Sequence, residues 1–134
     1  MPDGSQEREE GREAGAPRSA RTLRERACLE LHFPASTRPL SVDGVKGYLF
    51  PLETELGDRF ELFAWFDGSA YQVRVVHPAL EGLGPHAVHL FPDRRICFGH
   101  RDGGGVATLE EAHARSALWA NGMSAYLRGA RFPF

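Results

Sequence analysis

The residues with the clearest chemical potential lie in the segment HLFPDRRICFG, residues 89–99, where a histidine stands eight positions before a cysteine. A cysteine thiolate is a strong nucleophile, and an imidazole can donate a hydrogen bond or move a proton because its ordinary pKa is near 6.5. The apolar neighbours of Cys97 are equally compatible with a buried core thiol. A Pro-Asp turn is predicted between the two residues, and Asp93-Arg94 could set the turn that presents Cys97, a structural role that requires no catalytic one.

Other site types find little support in the sequence. His77, His86, His89 and Cys97 are nine, three and eight positions apart, which matches no common zinc pattern, so no metal is expected. Nucleophile elbows, P-loops and dinucleotide-binding glycine motifs do not occur, and no cofactor is expected. Cys28 is predicted to be a small packed residue, inert to partners. It is 69 positions from Cys97, and a thiol redox sensor would need a nearer resolving cysteine.

Three strands are predicted in the middle of the chain, in segments rich in β-branched and aromatic residues: 45–53, 58–68 and 70–78. Turn signals separate them, and Asp67-Gly68 favours a tight hairpin, so they should form an antiparallel meander. The segment 78–92 reads as an irregular loop in which VHLF can pair briefly as another strand.

Two helices are expected to flank the strands. Leu23, Ala27 and Leu31 recur every four residues and predict a helix that ends before Pro34. The second helix is predicted over 108–128, with Thr108 as N-cap, Glu111 completing a capping box, and Gly129 as terminator. Its apolar stripe is expected to pack on the sheet, although it could line a ligand pocket; it comprises Leu109, Ala112, Ser116, Trp119, Met123 and Tyr126.

These elements predict an α+β fold, an antiparallel meander with helices packed on one face. The chain has 134 residues, about the size of one domain, which we place at 19–134. Residues 1–18 hold no large apolar side chain beyond Met1 and are expected to be a disordered tail.

Composition limits the partners. The formal net charge is −2, so no basic face for nucleic acid is expected. Apolar runs are far shorter than the roughly 20 residues that cross a bilayer, so no membrane contact is expected. A cytoplasmic location is predicted, where the two cysteines would stay reduced.

Within this order of elements, VVHP at the end of the third predicted strand, HLFPDRRICFG and the following helix resemble the ubiquitin-conjugating enzyme (UBC) fold, especially its divergent bacterial branch. In the eukaryotic pattern an Asn lies eight positions before the active cysteine and a Gly three before it; here those positions hold His89 and Arg94. The bacterial pattern His-x-Tyr-x-Asp-Gly-x-x-Cys differs from this chain at Phe91 and Arg94. The resemblance covers roughly residues 20–134.

The resemblance implies a transferase that carries a protein carboxyl terminus as a thioester on Cys97 and passes it to an amine. It implies as partners a ubiquitin-like protein or other protein C-terminus as donor, an activating enzyme and a protein amine acceptor, often within a bacterial antiphage operon. By analogy with the family's Asn, His89 would stabilise the oxyanion or shape the loop. The alternative is a noncatalytic binding module of the same fold, against which the presence of Cys97 counts.

Overall fold

The computed structural model describes residues 19–80, 88–99 and 104–133. The predicted tail, 1–18, lies outside the described residues. The chain divides into two compact units, Met1–Leu31 and His32–Phe134. Within the first unit the structure describes nearly all of one helix, and the second contains the sheet, the other helix and the cysteine segment.

Four strands form one antiparallel sheet in the order β1-β2-β3-β4: β1 Arg38–Val42, β2 Val45–Glu53, β3 Arg59–Phe66 and β4 Tyr71–His77. The last three confirm the predicted meander. The first strand was not predicted, although Asp43-Gly44 signals it: both residues have positive φ, 52° and 81°, as a two-residue hairpin turn requires. The fold is therefore α+β, with a four-stranded antiparallel sheet and, in the described part of the chain, two helices.

Both predicted helices are confirmed, α1 at Ala20–His32 and α2 at Leu109–Leu127. Thr108 caps α2, because its hydroxyl accepts a hydrogen bond from the Glu111 N–H at 3.0 Å. The Glu111 carboxylate lies 3.3 Å from Arg115 Nε, so it reaches forward along the helix rather than completing the capping box. At the other end Gly129 has φ 96°, and its N–H and that of Ala130 bond back to the last turn, forming a Schellman motif.

The core of the second unit lies between α2 and one face of the sheet. Phe50, Leu62 and Val75 stand opposite one another on three neighbouring strands and are fully buried. The Trp119 ring packs edge-on against Phe60, with ring centroids 5.6 Å apart. The apolar stripe of α2 therefore packs on the sheet as predicted, and Ser116 and Met123 within it are fully buried.

The apolar face predicted for α1 does not match the structure. Leu23 and Leu31 are among the most exposed large apolar side chains, and Ala27 between them is exposed as well. The four-residue spacing correctly indicates a helix, but the residues that share this spacing are exposed rather than buried. Cys28 is partly exposed rather than packed away.

Polar side chains join the far end of α2 to the turn between β2 and β3. The Ser124 hydroxyl donates to Asp58 Oδ2 at 2.7 Å and lies 2.6 Å from the Thr54 hydroxyl, which itself accepts from the Asp58 N–H. Arg128 forms an ion pair with the same carboxylate. The hydrogen bond from Arg128 and, after it, the one from Ser124 lower the pKa of the Asp58 carboxyl. The cluster fixes where α2 crosses the sheet.

Candidate functional site

Cys97 follows a short hairpin that turns at Pro92-Asp93-Arg94. The Phe91 N–H donates to the Arg95 carbonyl and the Arg94 N–H donates to the Phe91 carbonyl, both at 2.8 Å. Arg94 has φ 71°, as in three-residue loops that end in a left-handed residue. The Asp93 carboxylate accepts from the Arg95 N–H at 3.2 Å. Asp93 and Arg94 thus form the predicted turn, and Leu90 of VHLF pairs briefly with Ile96.

The hairpin is attached to the outer edge of β4. The Ile96 N–H donates to the Val73 carbonyl at 2.8 Å, and the Val75 N–H donates to the Arg94 carbonyl at 3.0 Å. Val106, beyond the cysteine, pairs with Tyr71 on the same edge. The backbone on both sides of Cys97 is therefore held by one strand of the sheet.

A chain of polar side chains reinforces this attachment. Buried Gln72 on β4 donates through its amide to Asp67 Oδ2 at 2.8 Å and accepts from Arg95 at 3.2 Å. Arg95 also bonds Asp93 at 2.7 Å, and its guanidinium lies over the Phe91 ring. The hydrogen bond from Gln72, helped by the Ser69 N–H, lowers the pKa of Asp67 to about 2. Asp67 therefore stays ionised and keeps this chain of bonds intact at ordinary pH.

His89 and Cys97 are brought together across the hairpin. The Cys97 N–H donates to the His89 carbonyl at 2.9 Å. The Cys97 thiol lies 3.8 Å from the Gly99 carbonyl oxygen, as a weak hydrogen bond. His89 itself is exposed and has a positive φ of 56°. Cys97 is partly exposed, as a thiol that meets a partner must be.

Both residues line one cavity of about 460 Å³ between the cysteine segment, α2 and the segment after it. This volume falls within the range of small-molecule and cofactor pockets. Gly99 contributes to the wall, and the remaining lining is mostly large apolar side chains: Ile96, Phe98, Leu118, Trp119 and Phe132. The structure therefore places the thiol beside an apolar cavity.

Arg115 supplies a positive charge at this cavity and was not predicted from the sequence. Its Nη1 donates to the Phe98 carbonyl at 2.9 Å, and its Nε lies 3.3 Å from the Glu111 carboxylate. The only sequence signal is the four-residue spacing of Glu111 and Arg115, which also describes an ordinary surface pair. Only the packing of α2 beside the cysteine segment brings Arg115 to the site.

Two aromatic residues complete the cavity wall. Trp119 was predicted to pack on the sheet rather than line a pocket, and it does both; its indole N–H donates to the Val88 carbonyl at 2.7 Å. Phe132 was missed, because it follows the helix terminator and shows no periodic pattern. Its ring is buried, with its centroid 5.5 Å from that of His89.

Two other candidate residues, Cys28 and His77, have described positions. Cys28 is on α1, in the first compact unit. His77 is exposed at the end of β4, where the His77–Pro78 peptide is cis. His86 lies outside the described residues. Among the described residues no group of three or more His, Cys, Asp or Glu side chains is arranged to hold a metal ion.

Comparison with protein-family models, with curated proteins and with solved structures finds no match in any of the three. Neither helix in the described ranges has the length and apolar character needed to span a bilayer.

Proposed function

We propose that this protein is a cysteine-dependent acyl transferase similar to ubiquitin-conjugating enzymes. It holds a protein carboxyl terminus as a thioester on Cys97 and transfers it to an amine. The observation that carries the proposal is that Cys97 and His89 are joined by a 2.9 Å backbone hydrogen bond and line the same cavity. The donor is a ubiquitin-like protein or other protein C-terminus, delivered by an activating enzyme.

The loading step needs a thiol that a large partner can reach. Cys97 is partly exposed. Gly99, two positions later, is exposed and has no side chain to obstruct an incoming chain. The thiolate attacks the activated carbonyl carbon, a C–S bond forms, and the activating group leaves. The hairpin's attachment to β4 keeps the thiol in place while this occurs.

The discharge step develops negative charge on the carbonyl oxygen as the amine attacks. A donor fixed toward that oxygen can contribute about 3 kcal/mol. His89 is on the cavity wall, and its ring lies next to that of Phe132, with the centroids 5.5 Å apart. In this mechanism a ring N–H of His89 is the donor, and the Arg115 guanidinium on the same wall adds positive charge.

The arrangement of elements supports the UBC-like interpretation. An antiparallel meander precedes the cysteine segment, and a long helix follows it. Arg94 stands where the related patterns have glycine, and its φ of 71° is one that glycine adopts freely. His89 likewise has a positive φ, 56°, a conformation in which asparagine is enriched.

The first test measures loading of the cysteine. Wild-type protein, Cys97→Ser and Cys28→Ser are incubated with an activated donor, and the adduct is mapped by mass spectrometry. We expect a thiol-labile adduct on Cys97 in wild type and in Cys28→Ser, and at most a stable oxyester in Cys97→Ser. A wild-type adduct on Cys28 alone would reject the choice of thiol, and the absence of any adduct would favour the noncatalytic binding module.

His89→Ala is then loaded, and its single-turnover discharge to free amine is followed beside wild type. If His89 donates to the oxyanion, loading persists and discharge slows by about 10²- to 10³-fold. If His89 only shapes the loop, loading is lost or the melting temperature falls. Unchanged discharge would remove His89 from the mechanism.

A further inference from the structure

We propose that the cavity beside Cys97 selects a donor whose last residue carries a large apolar side chain. This inference rests on the proposed function and specifies its substrate class. In a donor so bound, the terminal carbonyl carbon lies at Cys97 Sγ and the side chain of the same residue enters the cavity.

The lining of the cavity indicates an apolar occupant. Phe98, Leu118 and Phe132 lie along it, and a donor ending in glycine would leave their cavity-facing surfaces in contact with water. The Trp119 indole N–H is already bonded to the Val88 carbonyl, so this side chain offers only its apolar ring. Covering apolar surface of this kind is favourable in proportion to the area removed from water.

Leu118 gives a second indication. It lines the cavity, yet 56% of it is exposed, whereas Leu109, Trp119 and Met123 on the same helix are buried. An exposed leucine at the mouth of an apolar cavity is surface that an occupant can cover. Leu127, also on α2, is 50% exposed but does not line the cavity, so it provides a matched control.

The polar groups at the cavity favour a peptide over a plain hydrocarbon chain. Arg115 brings a guanidinium to the wall, complementary to the electron-rich oxygen of a peptide carbonyl or terminal carboxylate. His89 lies on the same wall, and exposed Gly99 leaves open backbone beside the thiol. A fatty acyl chain would have only one carbonyl oxygen for these groups.

The test uses acetylated tetrapeptide thioesters of mercaptoethanesulfonate, which bypass the activating enzyme and differ only in a final Gly, Leu or Phe. The Cys97 thiolate attacks the carbonyl carbon, the new C–S bond replaces the old one, and mercaptoethanesulfonate leaves as its thiolate. The Cys28→Ser protein is used, so that acylation of Cys97 alone is followed by mass spectrometry. We expect Leu and Phe thioesters to load about 10- to 100-fold faster than Gly.

Leu118→Ala should reduce that preference at least threefold, and Leu127→Ala should leave it unchanged. Equal loading by all three peptides would overturn the inference while leaving the proposed function standing. Loading by none of them would overturn the inference, and the proposed function would fall with it only if the activated protein donor of the earlier test also forms no adduct. An octanoyl thioester that loads faster than the Leu and Phe peptides would overturn the peptide assignment.

Discussion

Arg94 shows how a single backbone angle presents the cysteine. Its φ of 71° closes the hairpin three positions before Cys97, and a residue with a Cβ pays about 1 kcal/mol or more for that conformation. We expect Arg94→Gly to be more stable than Arg94→Ala by about 1 kcal/mol, because both lose the same side chain interactions and only alanine keeps the strain. Urea denaturation of the two variants measures the difference. An alanine variant as stable as the glycine one would show that the angle relaxes.

Ser116 and Ser124 make a matched pair on α2, both fully buried. Among the described residues the Ser116 hydroxyl has no hydrogen-bond partner, whereas that of Ser124 bonds Thr54 and Asp58. Ser116→Ala should therefore be neutral or stabilising, by up to about 1 kcal/mol, and Ser124→Ala should destabilise by about 1 to 3 kcal/mol. Thermal and urea unfolding distinguish them, and equal effects would contradict these bonding assignments.

At the scale of elements, the position of the cysteine hairpin depends on Arg95. Its side chain, 24% exposed, bonds both Asp93 and buried Gln72, whereas Arg59 is 62% exposed and, within the described part of the chain, pairs only with Glu61. Arg95→Met should cost about 1 to 3 kcal/mol, since it leaves the Gln72 oxygen without this donor. Arg59→Met should cost less than about 0.5 kcal/mol.

The effect of Arg95→Met on the hairpin can also be measured locally, by amide hydrogen exchange at Cys97. Because the Cys97 N–H is bonded within the hairpin, its amide exchange should accelerate in Arg95→Met and stay unchanged in Arg59→Met. If the Cys97 amide exchanges at the wild-type rate in Arg95→Met, the hydrogen bonds of the Arg95 side chain do not hold the hairpin in place.

At the scale of the whole molecule, stability should depend on pH through His113. Burial beside Phe33 and Phe50 lowers the pKa of His113, and repulsion from His32, which lies near Glu110, lowers it further. The unfolded chain then binds a proton at His113 near pH 6.5 that the folded chain resists, so stability falls as the pH drops below about 7. His113→Leu should flatten this slope in urea unfolding.

The control is His77→Gln, at an exposed site at the end of β4, which should keep the slope. A slope unchanged by His113→Leu would locate the titrating group elsewhere.

A second loss of stability, at lower pH, comes from Asp67. With its pKa lowered to about 2, this carboxylate contributes stability above pH 4 that is lost as the pH falls toward 2.

The sequence alone determined most of the local structure. Alternation of side chains predicted three strands, and capping chemistry placed α2 between Thr108 and Gly129, because such signals act within a few residues of chain. The turn before Cys97 was predictable for the same reason, because its Pro-Asp signal also acts within a few residues of chain. The first strand was missed although Asp43-Gly44 marks its turn, and the apolar spacing in α1 did not predict that Leu23 and Leu31 are exposed.

Tertiary structure decided what surrounds the thiol. Cys97 and His89 could be named from a motif, but Arg115, Leu118 and Phe132 reach the same cavity only because α2 crosses beside a hairpin attached to β4. Those contacts join residues up to 43 positions apart, from His89 to Phe132, and no short-range pattern encodes them. Sequence periodicity reports which face of an element is apolar, whereas the choice of what covers that face depends on the packing of the whole chain.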